Sequence, residues 1–218
     1  MNRFLNTILN LVFPTNCICC GKNNIDLCIK CLASFPGAER ESAKWIYPIY
    51  DYRHPPVKKS IWFLKYKGKK VFAKIFADIM YGRIIEELSD LKILNNFEKP
   101  ILIPIPLSRK RKNERGYNQA LLICNHLIKL DNHNNNFTLE KNVLLKIKDE
   151  EHQAKIENRQ KRIKNIIGSF SARNTDLIKN RNIILIDDVI TTGSTLNEAR
   201  KTLHSAGAKK IIAFTIAH

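Results

Sequence analysis

The chain has 218 residues, 44% hydrophobic and 26% charged, with 37 Lys plus Arg against 20 Asp plus Glu and a formal charge of +17 at pH 7. That length allows one good-sized core with a small appendage rather than two full domains, and no apolar run reaches the ~18 to 20 residues that span a bilayer. The composition excludes a disordered chain, while the charge excess favours polyanionic partners (phosphates, nucleic acid or anionic lipid) without choosing among them.

At the N-terminus, Phe4, Leu5, Ile8, Leu9, Val12 and Phe13 fall at helical spacing and predict a short amphipathic helix ended by Pro14, docked on the core or lying on a membrane. Asn6, Thr7 and Asn10 interrupt this stretch and no small-residue cleavage site follows, which argues against a signal peptide. Five of the six cysteines come next, within fifteen residues. Cys17-x-x-Cys20 and Cys28-x-x-Cys31 form two knuckles, and four soft ligands on tight turns suit a tetrahedral, closed and therefore structural Zn2+ site. Cys19 is an alternative to Cys17 or Cys20, and a disulfide is disfavoured where thiols are kept reduced. The remaining Cys124 reads as a small buried hydrophobe.

From Lys44 onward, short β-rich runs alternate with helical ones. Trp45 to Tyr52 predicts a strand whose Pro48 points to a sheet edge or a bend. Val57–Leu64 and Lys69–Leu88 predict helices, the second with an apolar stripe of Val71, Phe72, Ile75, Phe76, Ile79, Met80 and Ile84. Ile101–Pro106 predicts a buried strand, followed by a basic loop and a helix over Asn118–Leu130. A loop over Asn132–Asn136, strands at Val143–Ile147 and within IIGSFSA, a strand over Asn182–Ile186, a helix over Thr195–Ala206 and a last strand over Lys210–Ala217 complete the pattern. Alternation of this kind implies a mainly parallel sheet covered by helices.

The most informative stretch runs from Ile183 to Thr195. Branched apolar residues make a buried strand, Asp187 and Asp188 stand at its C-terminal end, and Thr191, Thr192, Gly193, Ser194 and Thr195 open the next helix. Ligands of parallel sheets bind beyond the carboxyl ends of strands, and a helix N-terminus with free N–H groups is a ready phosphate site. Gly193 lets the backbone approach an anion, whereas the two carboxylates would repel it and suit sugar hydroxyls or Mg2+.

Two further stretches are rich in cations. Ser108 to Arg115 packs Arg109, Lys110, Arg111, Lys112 and Arg115 after a strand end, an arrangement that binds phosphoryl oxygens or remains a solvated turn. Lys65, Lys67, Lys69 and Lys70 accompany Trp62, Phe63, Tyr66 and Tyr117, which suggests stacking of single-stranded bases. Of these, Trp62 and Phe63 are expected to pack inward, leaving Tyr66 and Tyr117 on the surface. The charged stretch Glu150 to Lys164, with Gln153, Arg159 and Arg162, reads as a mobile lid or a plain surface helix.

The run ILIDDVITTGST resembles the 5-phosphoribosyl 1-diphosphate motif of type I phosphoribosyltransferases. The cysteine module, KYKGKK, PIPLSRKRKNERGYNQA, the Gln153–Phe170 segment and the Asp-Asp motif occur in the order seen in the ComF family. That resemblance implies an α/β fold of the type I phosphoribosyltransferase kind over residues 41–218, with a small zinc-ribbon-like module over 1–40. It implies ribose hydroxyls on Asp187 and Asp188 as catalytic residues, the 5-phosphate on Thr191–Thr195, and pyrophosphate at Ser108 and Arg109. It implies Mg2+ with the diphosphate and a role in DNA uptake and transformation. Single-stranded DNA would lie on a surface including Lys65, Lys67, Lys69, Arg111, Arg115 and Arg162. Other competence proteins at the inner membrane are implied partners, for a chain that is cytoplasmic or peripheral there. The alternative is an active enzyme transferring phosphoribosyl to a nitrogen acceptor. Purine-salvage members often carry an Asp where this chain has Thr191, a departure from their base chemistry.

Overall fold

The computed structural model describes residues 15–39, 43–148 and 166–218. The expected N-terminal helix and the charged stretch with Gln153, Arg159 and Arg162 lie outside these residues. Among the described residues there are seven strands: β1 (Ile46–Tyr50), β2 (Ile101–Pro104), β3 (Thr138–Leu139), β4 (Leu144–Lys146), β5 (Phe170–Ala172), β6 (Ile183–Val189) and β7 (Ile211–Ala217). The helices are α1 (Ile29–Ala33), α2 (Pro55–Tyr66), α3 (Val71–Asn95), α4 (Arg109–Arg115), α5 (Gln119–Leu130) and α6 (Ser194–Ser205).

Five strands form a wholly parallel sheet in the order β1-β7-β6-β2-β3. Strand alternation sorts its side chains cleanly between two faces. Leu102, Ile184, Ile186, Ile212, Phe214 and Ile216 share a core with α2, α3 and α5. Ile101, Ile103, Ile183, Leu185, Ile211 and Ala213 share another with α6, β4 and β5. Residues buried from both sides explain why β6 and β7 read as continuous apolar runs. Each Ile or Phe so buried contributes about 1.5 to 3 kcal/mol relative to exposure.

Pro48 lies on β1 at the sheet edge, where a missing N–H costs no interior ladder bond. Pro55 and Pro56 open α2, and left-handed Gly68 separates it from α3. On α3, Phe72, Phe76, Met80 and Ile84 recur every four residues with no exposure, so their stripe faces the sheet. The helix closes at left-handed Asn96.

The asparagine-rich turn is built on buried Asp131, whose carboxylate accepts hydrogen bonds from Tyr81 Oη (3.1 Å), Asn136 N (2.8 Å) and Asn136 Nδ2 (2.7 Å). This turn delivers β3 to the edge of β2.

One expectation is corrected: the basic segment after β2 is a short helix, α4, capped by Ser108 and ended by left-handed Gly116. The strands β4 and β5, expected as strands, pair antiparallel with each other beside the main sheet.

Candidate functional site

β6 runs on through both acidic residues and stops at Val189. Alternation carries Asp188 toward the face covered by α2, where Lys65 Nζ lies 2.7 Å from its Oδ1. The two side chains retain only 18% and 12% exposure. Asp187 falls on the register of the opposite face, and its Oδ1 accepts a bond from the Asp188 amide at 2.8 Å. Burial, then the neighbouring Asp188 charge, pushes the Asp187 carboxyl up to about 7, against the lowering effect of that amide, Lys65 and Lys146.

The loop beyond β6 is tied down at both ends: Ile190 N donates to Ala217 O at 2.9 Å and Asn197 N to Gly193 O at 2.8 Å. Gly193, at φ +73, turns the chain into α6. A side chain there would find only ordinary contacts, so the left-handed backbone is what requires glycine. Thr192 Oγ1 and Ser194 Oγ lie 2.7 Å apart, Thr191 is exposed, and Thr195 sits in the first turn of α6. An anion placed here would meet donors on both the hydroxyls and the first turn of α6.

β2 ends beside β6, with Ile105 N donating to Ile186 O at 2.9 Å. The chain then forms α4 and returns to the same place, where Asn118 Nδ2 donates to Ile105 O at 2.9 Å. The buried hydroxyl of Ser108 caps α4, and Arg109 is exposed in its first turn. The sheet thus brings the two carboxylates, the hydroxyl loop and the start of the basic helix to the carboxyl ends of two adjacent strands.

The four cysteine sulfurs of Cys17, Cys20, Cys28 and Cys31 all lie within 4.8 Å of one another. The Cys20 to Cys28 separation of 3.7 Å matches the roughly 3.8 Å edge of a tetrahedron with ~2.3 Å metal–sulfur bonds. Cys19 stands outside this set, exposed, although sequence spacing left it an alternative. For Cys17, burial opposes ionisation, but amide donors of Cys20, Cys28 and Cys19 outweigh it and lower the thiol to about 6. Cys17, Leu27, Cys28 and Phe35 share the core of α2 and α3. Lys59 Nζ bonds Ile18 O at 3.2 Å, and Lys69 Nζ bonds Asp26 Oδ1 at 2.5 Å. Cys124 is wholly buried on α5 as expected, its thiol pushed up by burial.

The basic candidates therefore separate. Lys65 belongs to the acidic site and Lys69 to the cysteine module, whereas Lys67 lies 5.2 Å from the Trp62 ring centre and Arg115 5.1 Å from that of Tyr66. Arg111 is half-buried on α4, and Arg162 is outside the described residues. Trp62, expected in the core, is 44% exposed; Tyr66 is 59% exposed, as expected. Tyr117 is half-buried, its hydroxyl donating to Leu64 O. The helical phase held the missing signal for Trp62: Val57, Ile61 and Leu64 make the buried stripe, and position 62 is a hundred degrees from 61.

Residues 134–218 match the phosphoribosyl transferase domain family. Competence protein F of Haemophilus influenzae is 38% identical over 112 residues, covering 50% of this chain and 46% of that protein. Competence protein ComFC of Streptococcus pneumoniae is 31% identical over 154 residues, covering 70% and 59% respectively. The chain thus spans about half the length of the first relative. A solved hypoxanthine phosphoribosyl transferase from Trypanosoma cruzi covers 66% of this chain and 63% of its own at 11% identity, with a TM-score of 0.40.

Proposed function

We propose that the chain, which is similar to competence proteins F and ComFC and matches the phosphoribosyl transferase domain family, is a ComF-type protein that acts in DNA uptake and transformation. In this reading its sheet binds 5-phosphoribosyl 1-diphosphate and its basic surface binds single-stranded DNA. The observation that supports the sugar-phosphate site is the passage of β6 through Asp187 and Asp188 into a hydroxyl loop that ends at left-handed Gly193 and α6.

Each group has a role matched to its charge. Thr191, Thr192, Ser194 and Thr195, with the first amides of α6, take the 5-phosphate. Asp187 and Asp188 accept the ribose hydroxyls, which requires Asp188 to exchange Lys65 for them. Ser108 and Arg109 lie where the pyrophosphate arm would extend. Asp187 and Asp188 are also the residues that would hold Mg2+, whose chemistry is neutralisation of diphosphate charge. Four thiolates with tetrahedral spacing suit Zn2+ in a closed, structural role.

Among the described residues, no helix is long and apolar enough to cross a membrane. We place the protein in the cytoplasm or peripherally at the inner membrane, in contact with other competence proteins.

The paired carboxylates beside an anion loop also favour a second reading, an active transferase. There the bond from ribose C1 to pyrophosphate breaks, an acceptor nitrogen bonds to C1 and loses a proton, and pyrophosphate leaves. Basic groups at Arg109 and Arg111 would stabilise the departing charge.

A thermal-shift titration with Mg2+ and 5-phosphoribosyl 1-diphosphate tests the site. Ligand at a hundred times its dissociation constant adds about 2.7 kcal/mol of stability to wild type. Asp187→Asn with Asp188→Asn abolishes that shift. Absence of a shift in wild type overturns the sugar-phosphate reading, and release of pyrophosphate on adding an acceptor would establish the transferase.

A further inference from the structure

The outer face of α2 presents aromatic rings and cations in alternation. Trp62 and Tyr66, one helical turn apart, have ring centres separated by 6.3 Å and are the exposed large apolar residues of that helix. Lys67 lies 5.2 Å from the Trp62 ring centre. Arg115, from α4, lies 5.1 Å from that of Tyr66, with its Nη2 3.3 Å from the tyrosine hydroxyl. From Tyr52 to Ala77 the chain has eight Lys and Arg residues and no Asp or Glu. The last turn of α2 also supplies Lys65 to Asp188, so this face ends at the rim of the acidic site.

We propose that Trp62 and Tyr66 form a base-stacking platform for single-stranded nucleic acid, flanked by Lys67 and Arg115 as phosphate contacts. The proposal rests on the single-stranded DNA reading above and assigns it a place. A duplex hides the faces of its bases, and cations alone would serve it as well; exposed rings add affinity only for unpaired bases. Rings alternating with cations match a polymer in which flat bases alternate with charged phosphates. A helix lying on a membrane separates its apolar face from its cations, whereas here Lys67 and Arg115 sit directly against the exposed rings.

The chain has two tryptophans, so Trp45→Phe leaves Trp62 as the single reporter. Titrating that variant with an oligothymidylate should quench its emission to saturation. Anisotropy of a labelled oligothymidylate should show Trp62→Ala with Tyr66→Ala binding about tenfold or more weakly, with an unchanged salt slope. A duplex of equal length should be unaffected by the two substitutions. Unchanged emission at saturating oligonucleotide, or wild-type affinity in the double variant, overturns the platform while leaving DNA binding in place. No anisotropy change with wild-type protein overturns both. A blue shift with phosphatidylglycerol vesicles that the oligonucleotide fails to reverse would assign the face to membrane instead and overturn the platform.

Discussion

Lys65 Nζ stands 2.7 Å from Asp188 Oδ1, an amine from the end of α2 seated on a carboxylate at the end of β6. The fold therefore neutralises this carboxylate from within, with a lysine of its own. A nearly enclosed pair of this kind holds its two elements together only while both partners remain.

Lys65→Met should accordingly destabilise the protein by about 3 kcal/mol, the lower end for breaking a buried pair, because both side chains keep some contact with water. Asp188→Asn in the same chain should recover most of the loss, since the abandoned charge is then gone. Urea midpoints of the two single variants and the double variant form the cycle that measures this coupling. Strictly additive effects would show that the pair contributes nothing.

Asp187 carries the opposite sign. Its carboxyl, ordinarily near 4, is raised to about 7 by burial and by Asp188, so the folded state binds this proton more tightly than the unfolded chain. The stability it contributes is complete below its unfolded value and is lost as the pH rises through about 7. Asp187→Asn should thus match wild type in urea at acidic pH and exceed it increasingly toward pH 7.5. A variant advantage that shrinks with rising pH would reverse the assignment. Ligand affinity that requires ionised Asp187 should rise over the same interval in wild type.

The cysteine cluster separates ligands from a bystander. Purified wild-type protein should bind one Zn2+ per chain, Cys19→Ser should keep it, and Cys17→Ser or Cys28→Ser should lose it, as read by metal analysis after dialysis. Chelation should also lower the thermal midpoint, because Ile18 and Asp26 of the module bond Lys59 and Lys69 of the α2–α3 region. Loss of metal from the Cys19 variant would redraw the site.

The sequence made the sheet and the acidic loop legible because doubly buried strands are continuous in Ile and Leu, and Gly193 marks the left-handed step into α6. Other features were hidden for definite reasons. Seven residues of α4 bury no apolar stripe, so its only signals were the Ser108 cap and Gly116 terminator. Short apolar runs at β4 and β5 specify strands without specifying which neighbour they pair with or in which direction. Trp62, beside Phe63, reads as core by residue type and as surface only by helical phase. The contact between Lys65 and Asp188 joins residues remote in sequence, each with a plausible role of its own.

The position of β7 also sets the order in which this molecule can be completed. Among the described residues it is the last of the seven strands in chain order, yet it lies between β1 and β6 with every residue buried. Until it arrives, β1 has no partner in the sheet and β6 offers a bare, apolar edge ending in two acids. Folding must wait for a contact between the latest strand and one made far earlier, a topology that slows barrier crossing and exposes an edge meanwhile. The acidic site is therefore among the last features to acquire its shape, since the loop after β6 is tied to the end of β7 through Ile190 and Ala217.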